Sequence, residues 1–492
     1  MAVAEVAPAR RAALPRWSDR RITGAVVLAA VALTVLLRLP YLTVPFGPDE
    51  GGLSFIARQW GSGHGSLYGA YWLDRPPLLL ALFKLAVAGG TLGVRALGAV
   101  AAGALVVTCA WIAHRLGGPR AARTAAVLAA VLASAVALAA VFTPAELLAA
   151  VPAAASAGCL VLAHRRGRAR ELAAAGALAA TALLIKQSFV DAGVAGAVFL
   201  GLTVVRLRSR ALPLVAAYAA GAFAVLAAAL GAFAAAGGSL SGLAYAVIGF
   251  RLSALGTLSA SSVPLHDRVT GLALPAVGSG LVLVLALVPL GLARLGDRRL
   301  AIVLGAWVGA GVAGVLAGGS YWPHYLIQLV APASALAAVG LARVRRRGRI
   351  AAVSVVAAVA IGVTAAGAAS AQVHPRHVTE RAIARFVAAH ARPGDTQYVL
   401  YAHANLDEAI GLPSPYPYAW SLMVRGIPGA IGRLDHLLAS PRRPTWVVGW
   451  EPIDRWGLDP HHVTERLLGA DYRVVGRIGG RPIWHARPGS TS

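Results

Sequence analysis

The sequence predicts a polytopic α-helical membrane protein that ends in a small α/β domain. Three observations predict it. The 492-residue chain is 58% hydrophobic with a mean hydropathy of +0.68, whereas soluble domains run at roughly 45–50% apolar. The excess is gathered into runs of about 18 or more residues, the length a helix needs to cross the hydrocarbon of a bilayer. Arginine clusters separate these runs, and beyond residue 371 the apolar runs shorten to strand length.

Charge then orders the elements. A net charge of +25 would suit nucleic acid if it covered one surface. Instead it sits between apolar runs: Arg10, Arg11, Arg16, Arg20 and Arg21; Arg115, Arg120 and Arg123; Arg165, Arg166, Arg168 and Arg170; Arg206, Arg208 and Arg210; Arg294, Arg298 and Arg299; and Arg343, Arg345, Arg346, Arg347 and Arg349. Short cytoplasmic loops carry such clusters under the positive-inside rule. The spans are then 22–38, 92–113, 121–141, 145–163, 171–186, 189–205, 211–235, 271–293, 300–318, 322–342 and 350–371. That odd count puts the N-terminus inside and the C-terminus outside. Residues 1–21 form a basic cytoplasmic N-terminus, 22–371 a membrane domain with a first outer loop at 39–91, and 372–492 an extracytoplasmic α/β domain.

The first span is followed by Arg-Leu-Pro-Tyr rather than a small-x-small cleavage site, which predicts an uncleaved helix. The segment 77–90 is short for a span and holds Lys84, so it predicts an amphipathic helix at the outer surface. In the C-terminal part, 396–402, 444–450 and 472–486 read as strands, the last a hairpin turning at Gly479-Gly480. Helical patterns cover 377–391, 428–439 and 460–469. Cys109 and Cys159 both lie in apolar runs and read as core residues, which excludes a disulfide framework and a cysteine metal site. There is no Gly-rich phosphate loop. Lys84 and Lys186 stand against 43 arginines, and Asn405 is the sole asparagine, a skew that fits a GC-rich bacterial genome.

Against this apolar background the outward-facing polar residues are few. The first loop offers Asp49, Glu50, Arg58, His64, Asp74, Arg75 and Lys84; later loops offer Glu146, Lys186, Gln187, Asp191, Arg251, His266, Asp267 and Arg268. Asp49 and Glu50 are costly to place beside a membrane unless they face water or a site. A carboxylate there can deprotonate a hydroxyl, and a pair can hold a divalent cation; a helix N-terminal cap explains Pro-Asp-Glu-Gly equally well. Asp74-Arg75-Pro76-Pro77 also reads as a cap before proline. Lys186 ends a span, where snorkelling explains it, yet a compact ammonium also suits a phosphate oxygen. Tyr321 and Trp322 fit an interfacial aromatic belt, whereas His324 does not. Trp60, Tyr68, Tyr71 and Trp72 serve either as anchors or as faces for sugar rings. Tyr416, Tyr418 and Trp420 form the most aromatic stretch of the C-terminal part, a candidate acceptor surface.

In combination, RLPYL…GPDEG, YWLDRPPLLLALFKLAVAG, VRALGAV, FTPAELL, LLIKQSF and YWPHYLIQLVAP resemble the polyprenyl-phosphate-sugar-dependent glycosyltransferases of the GT-C fold. These include protein O-mannosyltransferases and aminoarabinose transferases. The resemblance runs in order across 22–342 and implies a GT-C membrane domain. It implies that Asp49 is the base or a metal-linked catalytic residue, with Glu50 beside it and Asp74 a second active-site carboxylate. It also implies that Lys186, His324 and Tyr325 lie near the donor phosphate. Arg251 joins them on charge and position. Asp49 and Asp74 are the candidate ligands of a divalent metal. Where the family carries Asp after Thr-Pro, this chain has Ala145 and then Glu146.

The expected activity is sugar transfer from a polyprenyl-phosphate donor to an acceptor hydroxyl on a cell-envelope glycan, lipid or protein. It would occur on the extracytoplasmic face, with inversion at the anomeric carbon and Asp49 as base. A transporter or flippase of lipid-linked saccharide, and a non-catalytic envelope scaffold, are the alternatives. A transporter predicts charges in mid-span and paired broken helices.

Overall fold

The computed structural model describes residues 17–61, 66–259, 265–371 and 374–488. His64, Arg10, Arg11 and Arg16 lie outside the described residues. Helix α1 (Trp17–Leu36) leads into a loop that holds α2 (Pro48–Gln59) and α3 (Pro77–Val87). The bundle continues with α4 (Gly90–Leu132), α5 (Ala145–Arg166), α6 (Ala169–Ile185), α7 (Asp191–Leu207) and α8 (Leu212–Ala235). A short apolar stretch follows as α9 (Leu240–Ala244) and α10 (Phe250–Ser259), joined by a π-turn. Then come α11 (Leu265–Gly278), α12 (Leu281–Ala286), α13 (Val288–Ala293), α14 (Arg298–Ala317), α15 (Val330–Ala342) and α16 (Arg346–Ala371).

Seven helices among the described residues are long and apolar enough to cross a membrane, and a bent pair makes an eighth when taken as one. Two of the seven are too long for one crossing. Helix α4 has 43 residues, about 65 Å at 1.5 Å per residue, against roughly 30 Å of hydrocarbon. It breaks at Gly118, whose φ of 77° only glycine adopts cheaply. Helices α7 and α8 break at Arg208, and α11 meets α12 at 81° around Gly280. The eleven segments read from the sequence do not all stand as separate spans: α4 and α7–α8 each cover two of them, the helix under 121–141 ends at Leu132, and α6, at 17 residues, is shorter than any of the seven.

Helix α3 is 11 residues long and cannot span. It buries Leu79, Leu80, Phe83 and Val87 and leaves Lys84 outside, the one-sided pattern of a helix lying on a core.

The C-terminal part is an α/β domain. Helix α17 (Pro375–His390) precedes β1 (Gln397–Val399), then α18 (Ala404–Ile410), α19 (Ser421–Gly426) and α20 (Ala430–Leu438). Strand β2 (Trp446–Val448), α21 (Val463–Asp471), β3 (Tyr472–Ile478) and β4 (Arg481–Ala486) complete it. The sheet order is β1-β2-β4-β3, with β1 parallel to β2 and the rest antiparallel. Gly479 (φ 55°) and Gly480 (φ 78°) turn the β3–β4 hairpin, as two consecutive positive φ angles require. Short α18 and α19 have no counterpart in the sequence reading.

The domain is docked on the first loop, not tethered beside it. Trp72 donates its backbone N–H to Pro417 O at 3.2 Å and forms a bridge with Tyr418. Its ring packs edge-on against Tyr418 and Phe250. Arg58 of α2 pairs with Glu408 of α18 at 2.7 Å.

Candidate active site

Helix α2 starts at Pro48 in its first position, where the missing N–H costs nothing. Gly47 occupies the capping position, and no side chain caps the helix. Asp49 and Glu50 therefore lie in the first turn, favourable to the helix dipole, but neither caps it. Their side chains point to different surroundings, about 100° apart around the axis. Glu50 is buried: its Oε1 accepts the Thr143 N–H at 2.7 Å and faces Arg95 Nη1 at 3.1 Å. Arg95 is itself buried, with its guanidinium 4.6 Å from the Phe142 ring. This pair ties α2 to the start of α4 and to the loop before α5. Glu50, expected beside the chemistry, is thus committed to the interior. Asp49 is 49% exposed and stands 3.6 Å from His324 Nε2.

His324 connects two carboxylates. Its Nε2 is also 3.6 Å from Glu146 Oε1. Glu146 opens α5 after Pro144 and is ion-paired with Lys186, the residue that ends α6. Lys186 Nζ lies 5.0 Å from the Tyr325 ring centroid. Tyr325 follows His324 in a 3-10 turn, Pro323–Leu329, that leads into α15. Four separate elements thus bring Asp49, His324, Glu146 and Lys186 into one row.

Asp74 heads a second row. Its Oδ1 is 2.5 Å from Arg75 Nη1 and its Oδ2 is 2.5 Å from Arg251 Nη2. Burial pushes the Asp74 carboxyl up, but Arg251 and Arg75 outweigh it and hold the group below the usual carboxylate range. It is not a helix cap: Pro76 holds that position for α3. Gln187, next to Lys186, donates to the Asp74 carbonyl at 2.6 Å and joins the two rows.

A cavity of about 310 Å³ opens beside them. Glu146, Lys186, Gln187, Arg251, Tyr325 and Gln328 supply polar lining, and Val247, Leu252, Ala254 and Ala317 supply apolar lining. Behind it, buried Asp191 accepts from Gln328 Nε2 at 2.7 Å and from Trp307 Nε1 at 2.8 Å.

The expected cation site shared by Asp49 and Asp74 does not fit this arrangement. Both Asp74 oxygens already face guanidinium groups, so a cation there would sit against two like charges. Among the described residues no three His, Cys, Asp or Glu side chains gather as metal ligands.

Other sequence candidates fall elsewhere. His266 pairs with Asp267 on the surface at 2.9 Å. Lys84 donates to the Trp60 carbonyl. Tyr68, Tyr71 and Trp72 are buried, with Tyr68 Oη donating to Arg75 O at 2.6 Å and Tyr71 Oη to Gln59 at 3.3 Å. They shape the loop and leave no ring face free for a sugar. Tyr418 is buried against Trp72 of that loop, Tyr416 is buried beside Tyr398 and donates to the Ala430 carbonyl at 2.8 Å, and Trp420 is half-buried.

Sequence reasoning missed Arg95 as a partner and gave Glu146 no role. The charge of Arg95 inside an apolar run was the available signal for the first. For the second it was an acid opening a span directly after Thr-Pro.

Residues 74–231 match the dolichyl-phosphate-mannose-protein mannosyltransferase family. ArnT from Cupriavidus metallidurans, solved bound to undecaprenyl phosphate, superposes with a TM-score of 0.66 at 17% identity, covering 96% of this chain and 99% of that one. The archaeal oligosaccharyltransferase AglB from Archaeoglobus fulgidus, solved with an inhibitory peptide and a dolichol-phosphate, gives 0.52 at 13% identity over 91% of this chain and 71% of that one. The fold is GT-C. The resemblance read over 22–342 therefore holds at the level of fold, and the structural match extends over the C-terminal domain as well. No curated protein matches the chain in sequence.

Proposed function

We propose that this protein transfers a sugar from a polyprenyl-phosphate donor to an acceptor hydroxyl at the extracytoplasmic face, with inversion. The observation that carries the reading is Asp49. It is a half-exposed carboxylate, joined through His324 and Glu146 to a cavity lined by Lys186, Arg251 and Tyr325. The family match over 74–231 and the fold shared with ArnT support the donor class.

In this reading the donor phosphate enters the cavity beside Lys186 and Arg251, and the isoprenoid chain follows the apolar lining. Both cations are held by carboxylates, Lys186 by Glu146 and Arg251 by Asp74. They are thus preorganised, and charge that develops on the departing phosphate meets fixed positive groups. Asp49 accepts the proton of the acceptor hydroxyl as its oxygen attacks the anomeric carbon opposite the phosphate. His324 orients Asp49 and keeps it apart from Glu146. Asp74 holds Arg251 and Arg75 in place; its carboxylate has no free oxygen with which to take a proton.

The test is transfer by purified protein in proteoliposomes supplied with a panel of polyprenyl-phosphate sugars. Wild type should transfer one of them and Asp49→Asn should not. Parental transfer by Asp49→Asn would remove the assignment of the base. Donor movement across the bilayer without transfer by wild type would favour a flippase.

A further inference from the structure

Among the described residues Asp49 makes one close polar approach, the 3.6 Å one to His324, so its own contacts do not fix its position. Its helix does. Gly51 and Gly52 follow it in α2, and both lie against the C-terminal domain. A Cβ built on Gly51 would fall 2.5 Å from Asn405 Cβ and closer still to Asn405 Cα; one on Gly52 would fall 2.6 Å from Ala404 Cβ and into the edge of the Trp420 ring. Real Cβ atoms do not approach below 3.0 Å. Paired glycines therefore let α2 and α18 meet backbone to backbone. Around a helix, Gly51 lies about 200° from Asp49 and Gly52 about 300°, so the seam runs behind and to one side of the carboxylate.

The other side of the seam is braced. Asn405 Nδ2 donates to Glu380 Oε1 at 2.9 Å, and Glu380 Oε2 pairs with His377 Nδ1 at 3.1 Å. Glu380 is buried, and His403 lies 3.5 Å from the same Oε1. Further along, Arg58–Glu408 clamps the same two helices. On its remaining side α2 is held by Glu50–Arg95.

We propose that the C-terminal domain is a positioning element for the reaction, with Gly51, Gly52 and Asn405 as positioning residues that set the distance from Asp49 to His324 and the cavity. The kinetic part rests on the transferase reading. A methyl at Gly51 must open the seam by roughly 1 Å, and a misplacement of that size costs about 10²-fold in rate. Among the described residues, Lys186, Arg251 and Tyr325 make no hydrogen bond or ion pair to α18, so donor binding should survive.

The test compares Gly51→Ala, Gly52→Ala and, as control, Gly432→Ala, a helical glycine of the C-terminal domain with open space around it. Gly51→Ala should lower kcat about 10²-fold with donor KM within about twofold of wild type, and Gly432→Ala should change neither. Gly52→Ala meets side chains only, so adding Ala404→Gly and Trp420→Leu should restore kcat. The same pair should not rescue Gly51→Ala, which meets backbone. Disulfide formation between Asp49→Cys and His324→Cys, with Cys109 and Cys159 replaced by Ala, reads the geometry without any activity. Gly51→Ala should slow it about tenfold. An unchanged cross-linking rate, or a Gly51→Ala enzyme with wild-type kcat, overturns the proposal. A wild type that transfers no sugar overturns the transferase reading alone, and cross-linking still decides the seam.

Discussion

Two adjacent carboxylates on α2 meet opposite fates. Around Glu50, the Arg95 guanidinium, the Thr143 N–H and the Phe142 ring close a dry pocket. Around Asp49 there is open space, one imidazole at 3.6 Å and a path to the cavity. The first environment stabilises a charge by enclosing it, and the second leaves a charge available. What separates structural from chemical acids here is the company each keeps, since residue type, helix and turn are shared. The Asp74 and Glu146 groups stand between these limits: both are buried, but each holds a cation at the cavity.

The largest way to break this contrast is to remove the available charge. Asp49→Asn should lower transfer by about 10³-fold, within the range for general-base groups, with melting temperature unchanged; transfer rate and thermal unfolding check the two halves. Glu50→Ala should do the reverse. It leaves Arg95 buried and unpaired, a loss of about 3–5 kcal/mol, read as a lower melting temperature and yield. Glu50→Leu combined with Arg95→Met should recover most of that stability, since an apolar pair avoids the unpaired charge.

Next in size is the cavity cation. Arg251→Ala should raise donor KM about 10-fold and lower kcat as well, because the same guanidinium meets the charge that develops on the departing phosphate, measured by steady-state kinetics across donor concentration; a charge-assisted phosphate contact is worth about 1.5–3 kcal/mol.

The smallest effect is that of pH on Asp74. Its folded carboxyl titrates below the usual range because Arg251 and Arg75 outweigh burial. The stability it contributes is therefore complete above the unfolded value of about 4 and is lost as pH falls through the lower folded value. Wild type should exceed Asp74→Asn in stability by a constant margin from pH 5 to 8, and the margin should shrink below pH 4. A margin that changes between pH 6 and 8 would contradict the assignment.

Much of this was legible in the chain. Apolar runs and arginine punctuation gave the helical segments because burial in a bilayer constrains every residue of a span. Gly479-Gly480 gave the hairpin because two positive φ angles in succession demand glycine. The pairing of Asp49 with His324 was out of reach. Some 275 residues separate them, and local pattern carries no distance. The fate of Glu50 depended on Arg95, which hydropathy reads only as a flaw in an apolar run. The aromatic stretch at 416–420 was misread because exposure, unlike composition, is a property of the fold. Tyr418 is covered by Trp72 of the first loop and Tyr416 by Tyr398 within its own domain.

The seam between α2 and α18 also has a consequence in time. Asn405 lies 354 residues after Gly51, and a ribosome adds roughly 5–20 residues per second. The helix that bears Asp49 therefore waits on the order of 20–70 s for the surface it packs against. Throughout that interval its two glycines lack the backbone and ring they pack against in the finished fold. Synthesis of the final quarter of the chain completes the first loop.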